Sequence, residues 1–379
     1  MAKNNTNLPL NQILQGDSLE LLKVIPSQSI DLIFADPPYW MRVDGVLKRP
    51  EGGDFSGCDD SWDRQFTTHS DYSDFTRAWL TECRRILAPN GSIWVIGAMQ
   101  CIYTIGGIMQ DLGFWFINDV VWHKSNPTPN FLGTRLNNAH ETLLWATKSK
   151  KSTYTFHYKT AKELNSDNIA PSEFSKGVRK QLGSVWKIPV CSGNERLKNA
   201  CGEKLHSTQK PEALLYRIIA ISSNVGDVVL DPFGGSMTTA AMAKRLGRNY
   251  ISFEQNGEYV KAGQRRVERI AFENSDIARA KFDEKLPKVS LGDLIACGLL
   301  RVGEKIYIKG AESSAILTAN GKAEFEGKIY DIHSLCAKLK SAKAKRLNGF
   351  LFWEVARAES KSGRISLDSL RKIYREMHL

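Results

Sequence analysis

Metal-binding and disulfide patterns are missing from this chain of 379 residues. Its seven cysteines, Cys58, Cys83, Cys101, Cys191, Cys201, Cys297 and Cys336, are scattered with no CxxC pair and no Cys/His cluster. That argues against zinc or any other metal site and fits reduced thiols in the cytoplasm. No stretch approaches the roughly twenty apolar residues of a membrane helix, and the opening MAKNNTNLPL has no apolar export core, so a soluble protein with no membrane partner is expected. An acidic excess is absent too. Lys and Arg number 52 against 41 Asp and Glu, giving a net charge of +11 and a pI near 9.2. Such a surface attracts polyanions without specifying which. At 42% hydrophobic residues the chain has enough apolar material for one large α/β domain and a smaller companion.

What is present is concentrated in a few turns. The apolar run Ile30 to Ala35 leads straight into Asp36-Pro37-Pro38-Tyr39. Two prolines restrict the backbone, so Asp36 and Tyr39 are held in a nearly fixed relation at the exit of a buried strand. An ionised Asp36 and the Pro37 carbonyl are both acceptors, able to take the two hydrogens of an exocyclic amine, and Tyr39 offers a face for the ring that carries it. The combination suits a planar amine.

Strands and helices alternate elsewhere, as a doubly wound sheet requires. A short strand ending in a turn is expected within Asn11 to Asp17, and strands at Ile30 to Ala35, Ser92 to Gly97, Ile117 to Trp122 and Glu141 to Ala146, with helices at Ser18 to Val24, Asp74 to Leu87 and Cys101 to Leu112. Residues 40–69 read as a long loop. Residues 124–205 are polar, basic and broken by proline, and read as an insertion facing a partner. A helix opens at Pro211 with Leu214, Leu215, Ile218 and Ile219 inward.

The segment Val228 to Ser236 is a strand followed by a Gly-rich turn, then a helix from Thr238 and a strand ending at Glu254. An acid about twenty residues beyond a Gly-rich βα turn is how a doubly wound sheet takes a nucleoside cofactor, with the acid on the ribose. The turn reads Phe-Gly-Gly-Ser-Met and lacks GxGxxG, which makes NAD the less suitable cofactor.

Together the DPPY and DPFGGS turns, Asp17 in Gly16-Asp17-Ser18, and His206-Ser207-Thr208-Gln209-Lys210-Pro211 resemble S-adenosylmethionine-dependent amino-methyltransferases acting on DNA. Because DPPY precedes the cofactor turn, the resemblance is to the permuted β class. WHKSNPTPNF, NAHETLLWA and HSTQKPE are similar to the cell-cycle-regulated, CcrM-like adenine methyltransferase type, whose family substrate is GANTC. The resemblance implies a Rossmann-like doubly wound sheet of seven strands in permuted order, double-stranded DNA as partner, and S-adenosyl-L-methionine as cofactor. It also implies site residues. Asp36, Pro37, Pro38 and Tyr39 would hold a flipped adenine. Asp231, Phe233 and Gly235 would shape the cofactor turn, Glu254 would take the ribose, Asp17 the cofactor adenine, and Thr208, Gln209 and Lys210 would lie near the methionine end. Homodimers occur among such relatives, and no heptad here demonstrates one. Met237 stands where the family turn usually has a second glycine, which predicts a narrowed pocket or a strained backbone.

The expected organisation is a catalytic domain at 1–275 containing the insertion at 124–205, a linker at 276–288, and a small α+β DNA-binding domain at 289–379. In the last, strands are expected near Leu299 to Tyr307 and Ala323 to Tyr330, with a basic helix from Ile332 to Lys345. The run Lys338, Lys340, Lys343, Lys345 and Arg346, followed by Phe350, Phe352 and Trp353, reads either as a DNA-contacting face or as a solvated helix beside a small aromatic core. Three functions remain open at this point: adenine-N6 transfer in DNA, transfer to another amine such as cytosine N4, RNA or a protein amide, and an inactive DNA-binding scaffold. The resemblance implies the first, and only partly separates it from the second, because related enzymes acting on adenine in DNA carry Asp at the position of Asp36 where the others more often carry Ser or Asn.

Overall fold

The structure, a computed structural model, describes residues 8–41, 47–48, 54–55, 65–130, 133–165, 180–199, 202–284, 286–311, 313–358, 360 and 363–378. It divides into two compact units, Met1–Glu284 and Lys285–Leu379. In the first unit the chain runs β1 (Gln12–Gln15), α1 (Ser18–Val24), β2 (Ile30–Ala35), β3 (Leu47–Lys48), β4 (Asp54–Phe55), α2 (His69–Ile86), β5 (Leu87–Gly97), α3 (Ile102–Asp111), β6 (Trp115–Lys124) and β7 (His140–Thr147). It continues with α4 (Tyr158–Glu163), β8 (Val185–Ile188), α5 (Glu212–Ser222), β9 (Val228–Asp231), α6 (Thr238–Arg245), β10 (Asn249–Glu254) and α7 (Gly257–Glu268).

Eight strands form one mixed sheet in the order β1-β10-β9-β2-β5-β7-β6-β8. β9 and β10 are parallel neighbours, with Val228 opposite Asn249, and β1 adds to β10 on the far side with Gln15 opposite Glu254. This is the permuted order the sequence implies, because the strand that enters first in the chain lies outside the pair that enters last. β7 is antiparallel to both β5 and β6. Both faces are covered, so β2 and β9 are buried nearly throughout and read as continuous apolar runs rather than alternating ones.

The sheet corrects two expectations. Among the described residues it has eight strands, not seven, and the extra one comes from the region read as partner-facing. β8 lies parallel to β6 with Trp122 opposite Trp186. Trp186 is buried against Trp94, and the Trp122 indole donates to the Ile188 carbonyl at 2.8 Å. Four residues of strand are too short to register as a period in sequence. The loop expected at 40–69 contains the small antiparallel pair β3 and β4, and its last residue, His69, starts α2. Much of that loop, Cys58 included, lies outside the described residues, as does 166–179 of the insertion. α2 begins five residues earlier than its apolar face announces, because Thr68 and Asp71 make a reciprocal capping box.

The first nine residues of the expected linker 276–288 pack on the first unit. Arg248 is 3% exposed and donates to the carbonyls of Ser223, Leu246 and Ala278 and to the Ser223 hydroxyl. Burial among neutral acceptors lowers its pKa to about 10. Asp283 accepts from the Lys159 and Thr160 amides at 2.8 Å each, at the amino end of α4.

The second unit holds α8 (Leu291–Ala296), β11 (Lys305–Ile308), β12 (Ser314–Leu317), β13 (Ala323–Phe325), β14 (Lys328–Tyr330), α9 (Ile332–Leu339), α10 (Gly349–Phe352), β15 (Trp353–Ala356), β16 (Arg364–Ser366) and α11 (Leu367–His378). Its six strands order as β14-β13-β12-β11-β15-β16. The strand expected from Leu299 begins only at Lys305, and the helix from Ile332 stops at Leu339. Phe350 and Trp353 are core residues, and the Trp353 indole donates to the Ile332 carbonyl. Lys338 and Lys340 lie over the rings of Tyr330 and Phe352, while Lys343, Lys345 and Arg346 are exposed. No helix among the described residues is long and apolar enough to cross a membrane.

Candidate active site

The carboxyl ends of β1, β2, β9 and β10 open into one cleft of about 380 Å³, as expected at the reversal point of a doubly wound sheet. Asp17, Asp36, Pro37, Pro38, Tyr39, Thr208, Gln209, Lys210, Asp231, Phe233, Gly235 and Glu254 all line it. Twelve residues drawn from sequence positions 17 to 254 therefore meet at one place.

On the β9 side the Gly-rich turn is tightly cross-braced. Asp231, 2% exposed, accepts from the Phe233 amide at 2.9 Å and the Thr239 hydroxyl at 2.5 Å, tying strand, turn and α6 together. Burial pushes its carboxyl up to about 7. Glu254 accepts from the Gly235 amide and the Asn256 amide at 2.8 Å each, and burial raises its pKa. Gly235 sits at φ +50°, and a Cβ there would lie 2.9 Å from the His206 ring. Both the left-handed backbone and the nearby His206 ring disfavour a side chain there. His206 also packs against Tyr259, with ring centroids 4.9 Å apart. Asp17 caps α1, accepting from the Leu19 and Glu20 amides. The Phe233 ring rests edge-on against Trp79.

Met237 does not narrow the cleft. It adopts the left-handed backbone (φ 60°, ψ 33°) that a glycine would take, but its side chain is fully buried in the core on the far side. Gly263 of α7 makes room for it, because a Cβ at Gly263 would stand 2.2 Å from Met237 Cγ.

On the β2 side the DPPY turn is equally supported. The Tyr72 hydroxyl on α2 donates to the Pro38 carbonyl at 2.9 Å, and its ring stacks on Trp40. Among the described residues no donor reaches the Pro37 carbonyl. The Lys210 ammonium donates to Asp36 Oδ2 at 2.7 Å and lies 5.0 Å from the centre of the Tyr39 ring. The Tyr39 hydroxyl donates to Glu141 Oε2 at 2.8 Å. Glu141 also takes Lys124 at 2.7 Å and stands 3.9 Å from Lys210. Burial raises the Asp36 pKa and Lys210 pulls it back. Burial likewise opposes charge on Glu141 and Lys210, but their ion partners outweigh it, so Glu141 is held low and Lys210 high. Two acids and two lysines thus form a charge-balanced buried group.

The DPPY turn, with Lys210 on Asp36, and the Gly-rich turn thus face one cleft. A family profile described as "DNA methylase", covering N6 and N4 enzymes, matches residues 30–265. The chain belongs to that DNA methylase family. A second profile, "Restriction Enzyme Adenine Methylase Associated", matches residues 273–378. Among curated proteins, the chain is 47% identical to Type II methyltransferase M.HinfI of Haemophilus influenzae over 99% of each chain. It is 37% identical to Type II methyltransferase M2.LlaDCHI of Lactococcus lactis subsp. cremoris over 68% of this chain and 90% of that one. The crystal structure of the M1.HpyAVI-SAM complex is similar at a TM-score of 0.47 and 26% identity, covering 68% of this chain and 98% of that one.

The cofactor of this DNA methylase is S-adenosylmethionine, and the cleft fits it. Gly235 and His206 line the cleft, and Glu254 lines it at the end of β10, the position from which a doubly wound sheet offers an acid to a ribose. Of the three residues expected near the methionine end, Thr208 lines the cleft and bonds His206, whereas the Gln209 amide is engaged with the backbone of Glu195 and Leu197. The Lys210 ammonium lies on the DPPY side, against Asp36. Sequence reading missed Glu141, Lys124, His206, Tyr259 and Tyr72. Lys124 and Glu141 lay inside the segments WHKSNPTPNF and NAHETLLWA, but they sit on β6 and β7, with Glu141 102 positions from Tyr39, and only strand pairing brings them to the DPPY turn. His206 lay inside a motif that was noticed, and its neighbour Gly235 was the available clue.

Proposed function

We propose that this DNA methylase transfers a methyl group from S-adenosylmethionine to adenine N6 in double-stranded DNA, at GANTC sites. The observation that carries the reading is the Asp36 carboxylate at a braced Pro-Pro turn, beside the Tyr39 ring and a Pro37 carbonyl that no donor reaches among the described residues. The adenine N6 lone pair is delocalised into the ring. Asp36 and the Pro37 carbonyl take its two hydrogens and localise that pair, and Tyr39 replaces stacking lost when the base leaves the duplex. S-adenosylmethionine supplies an electrophilic methyl on its sulfonium. The protein contributes proximity and stabilises the charge that develops on nitrogen. Near full-length identity with M.HinfI supports assigning the whole chain, including the second unit, to a DNA substrate.

The test uses the purified chain, labelled S-adenosylmethionine and duplexes with and without GANTC. Label is expected in N6-methyladenine at that site, identified by nucleoside mass spectrometry and mapped by sequencing. Label in N4-methylcytosine instead would overturn the adenine assignment. Asp36→Ala is expected to abolish turnover, by at least about 10³-fold, while leaving DNA binding intact.

A further inference from the structure

Lys210 stands where the target amine should be. Its ammonium donates to Asp36 at 2.7 Å and faces the Tyr39 ring at 5.0 Å, the two groups that the proposed reading gives to adenine. We propose that Lys210 is a resident substitute for the target amine, and that Glu141 is the positioning residue that receives its ammonium when the base enters. The inference rests on the assignment of Asp36 as amine acceptor.

Three observations support the exchange. Glu141 Oε2 is already 3.9 Å from the Lys210 nitrogen, so a small swing of a flexible stem changes its partner. Glu141 is fixed meanwhile by Lys124 at 2.7 Å and by the Tyr39 hydroxyl at 2.8 Å. The whole group is buried, with Lys210 6% and Asp36 16% exposed at the side chain. An empty acceptor pocket of this kind would leave Asp36 desolvated without a counter-charge, and burial raises its pKa. Lys210, hydrogen-bonded to Asp36 at 2.7 Å, opposes that rise until an amine arrives. Because that amine is neutral, the charge balance of Asp36, Glu141, Lys124 and Lys210 survives only if Lys210 stays close, which Glu141 ensures.

The prediction is a change in pH dependence. The groups facing Lys210 are Asp36 and Tyr39 after β2, Glu141 on β7, Lys124 at the end of β6 and Cys101 before α3, with Asp231 of β9 beyond Asp36. In single-turnover assays Lys210→Met is expected to move the acid limb of the rate profile up by about 1–3 pH units, since Asp36 loses its nearest cation. Lys210→Arg keeps a cation and is expected to retain the wild-type limb at a reduced rate. Glu141→Gln is expected to lower kcat on the order of 10²-fold. It should also weaken the fluorescence rise of 2-aminopurine placed at the target base, with S-adenosylmethionine affinity by calorimetry unchanged. A Lys210→Met profile that superimposes on wild type, or a Glu141→Gln enzyme with wild-type kcat, would sink the inference. If Lys210→Met does not fold, the Glu141→Gln readouts decide. Asp36→Ala separates the two levels: a dead Asp36→Ala with an unshifted Lys210→Met removes only the exchange, whereas an active Asp36→Ala removes the reading beneath it.

Discussion

Met237 holds a left-handed backbone at the start of α6, a conformation that costs a residue with a Cβ roughly 1–2 kcal/mol. The molecule tolerates it because the side chain fills space left by Gly234 and Gly263. From sequence, Met237 looked like a threat to the cofactor pocket. The direction in which its side chain points depends on α7, which no local pattern encodes. Gly263→Ala is expected to destabilise the protein by about 1–3 kcal/mol through overpacking. Met237→Gly removes the clashing partner, so the double variant should be more stable than the sum of the single effects, with coupling on the order of 1 kcal/mol. Urea denaturation of the four proteins measures this, and strict additivity would count against the contact.

At the scale of elements, the two turns that frame the cleft are rigid for different reasons. The DPPY turn is stiff through its prolines and through α2, whose Tyr72 grips the Pro38 carbonyl. Tyr72→Phe should lower kcat by about tenfold through misplaced acceptors, with S-adenosylmethionine affinity unchanged by calorimetry. An unchanged kcat would show that the prolines suffice. The turn after β9 is held by Asp231, whose folded pKa is about 7 against an ordinary 3.8. Below the ordinary value the group is protonated folded or unfolded, and its contribution is fully present. As pH rises towards 7 the unfolded chain ionises first, so that contribution is lost. Asp231→Asn removes this loss. The Tm of Asp231→Asn relative to wild type is therefore expected to rise from pH 5 to pH 8, whereas parallel Tm curves would contradict the burial argument.

Across the whole molecule, charge is unevenly placed. Lys285–Leu379 carries 18 basic against 10 acidic residues, most of the chain's net +11. A charge excess of this kind supplies salt-dependent, sequence-independent attraction to phosphates. A chain ending at Glu284 is expected to keep S-adenosylmethionine binding and to lose DNA affinity, with a shallower dependence of log Kd on log salt in fluorescence anisotropy. An identical slope would place the DNA contacts in the first unit. The packing of Ala278 and Asp283 onto that unit is why the cut belongs after Glu284 rather than at residue 275.

How much was legible follows from the range of each interaction. Apolar runs such as Ile30 to Ala35 and Val228 to Leu230, the prolines of DPPY and the glycines of DPFGGS act within a few residues, so the sequence alone indicated these strands and turns, while their permuted order was implied by the family resemblance. The four-residue β8 and the capping box that advances α2 were nearly silent, one because it is short and the other because it is polar. Only tertiary structure decided which side chains share the site. Glu141 and Lys124 reach Asp36 and Tyr39 through the antiparallel pairing of β6 and β7, and Lys210 turns to the DPPY side because Asp36 and Glu141 together offset the burial of its charge. Those are long-range electrostatic and packing choices, and they exist only once the sheet has closed around them.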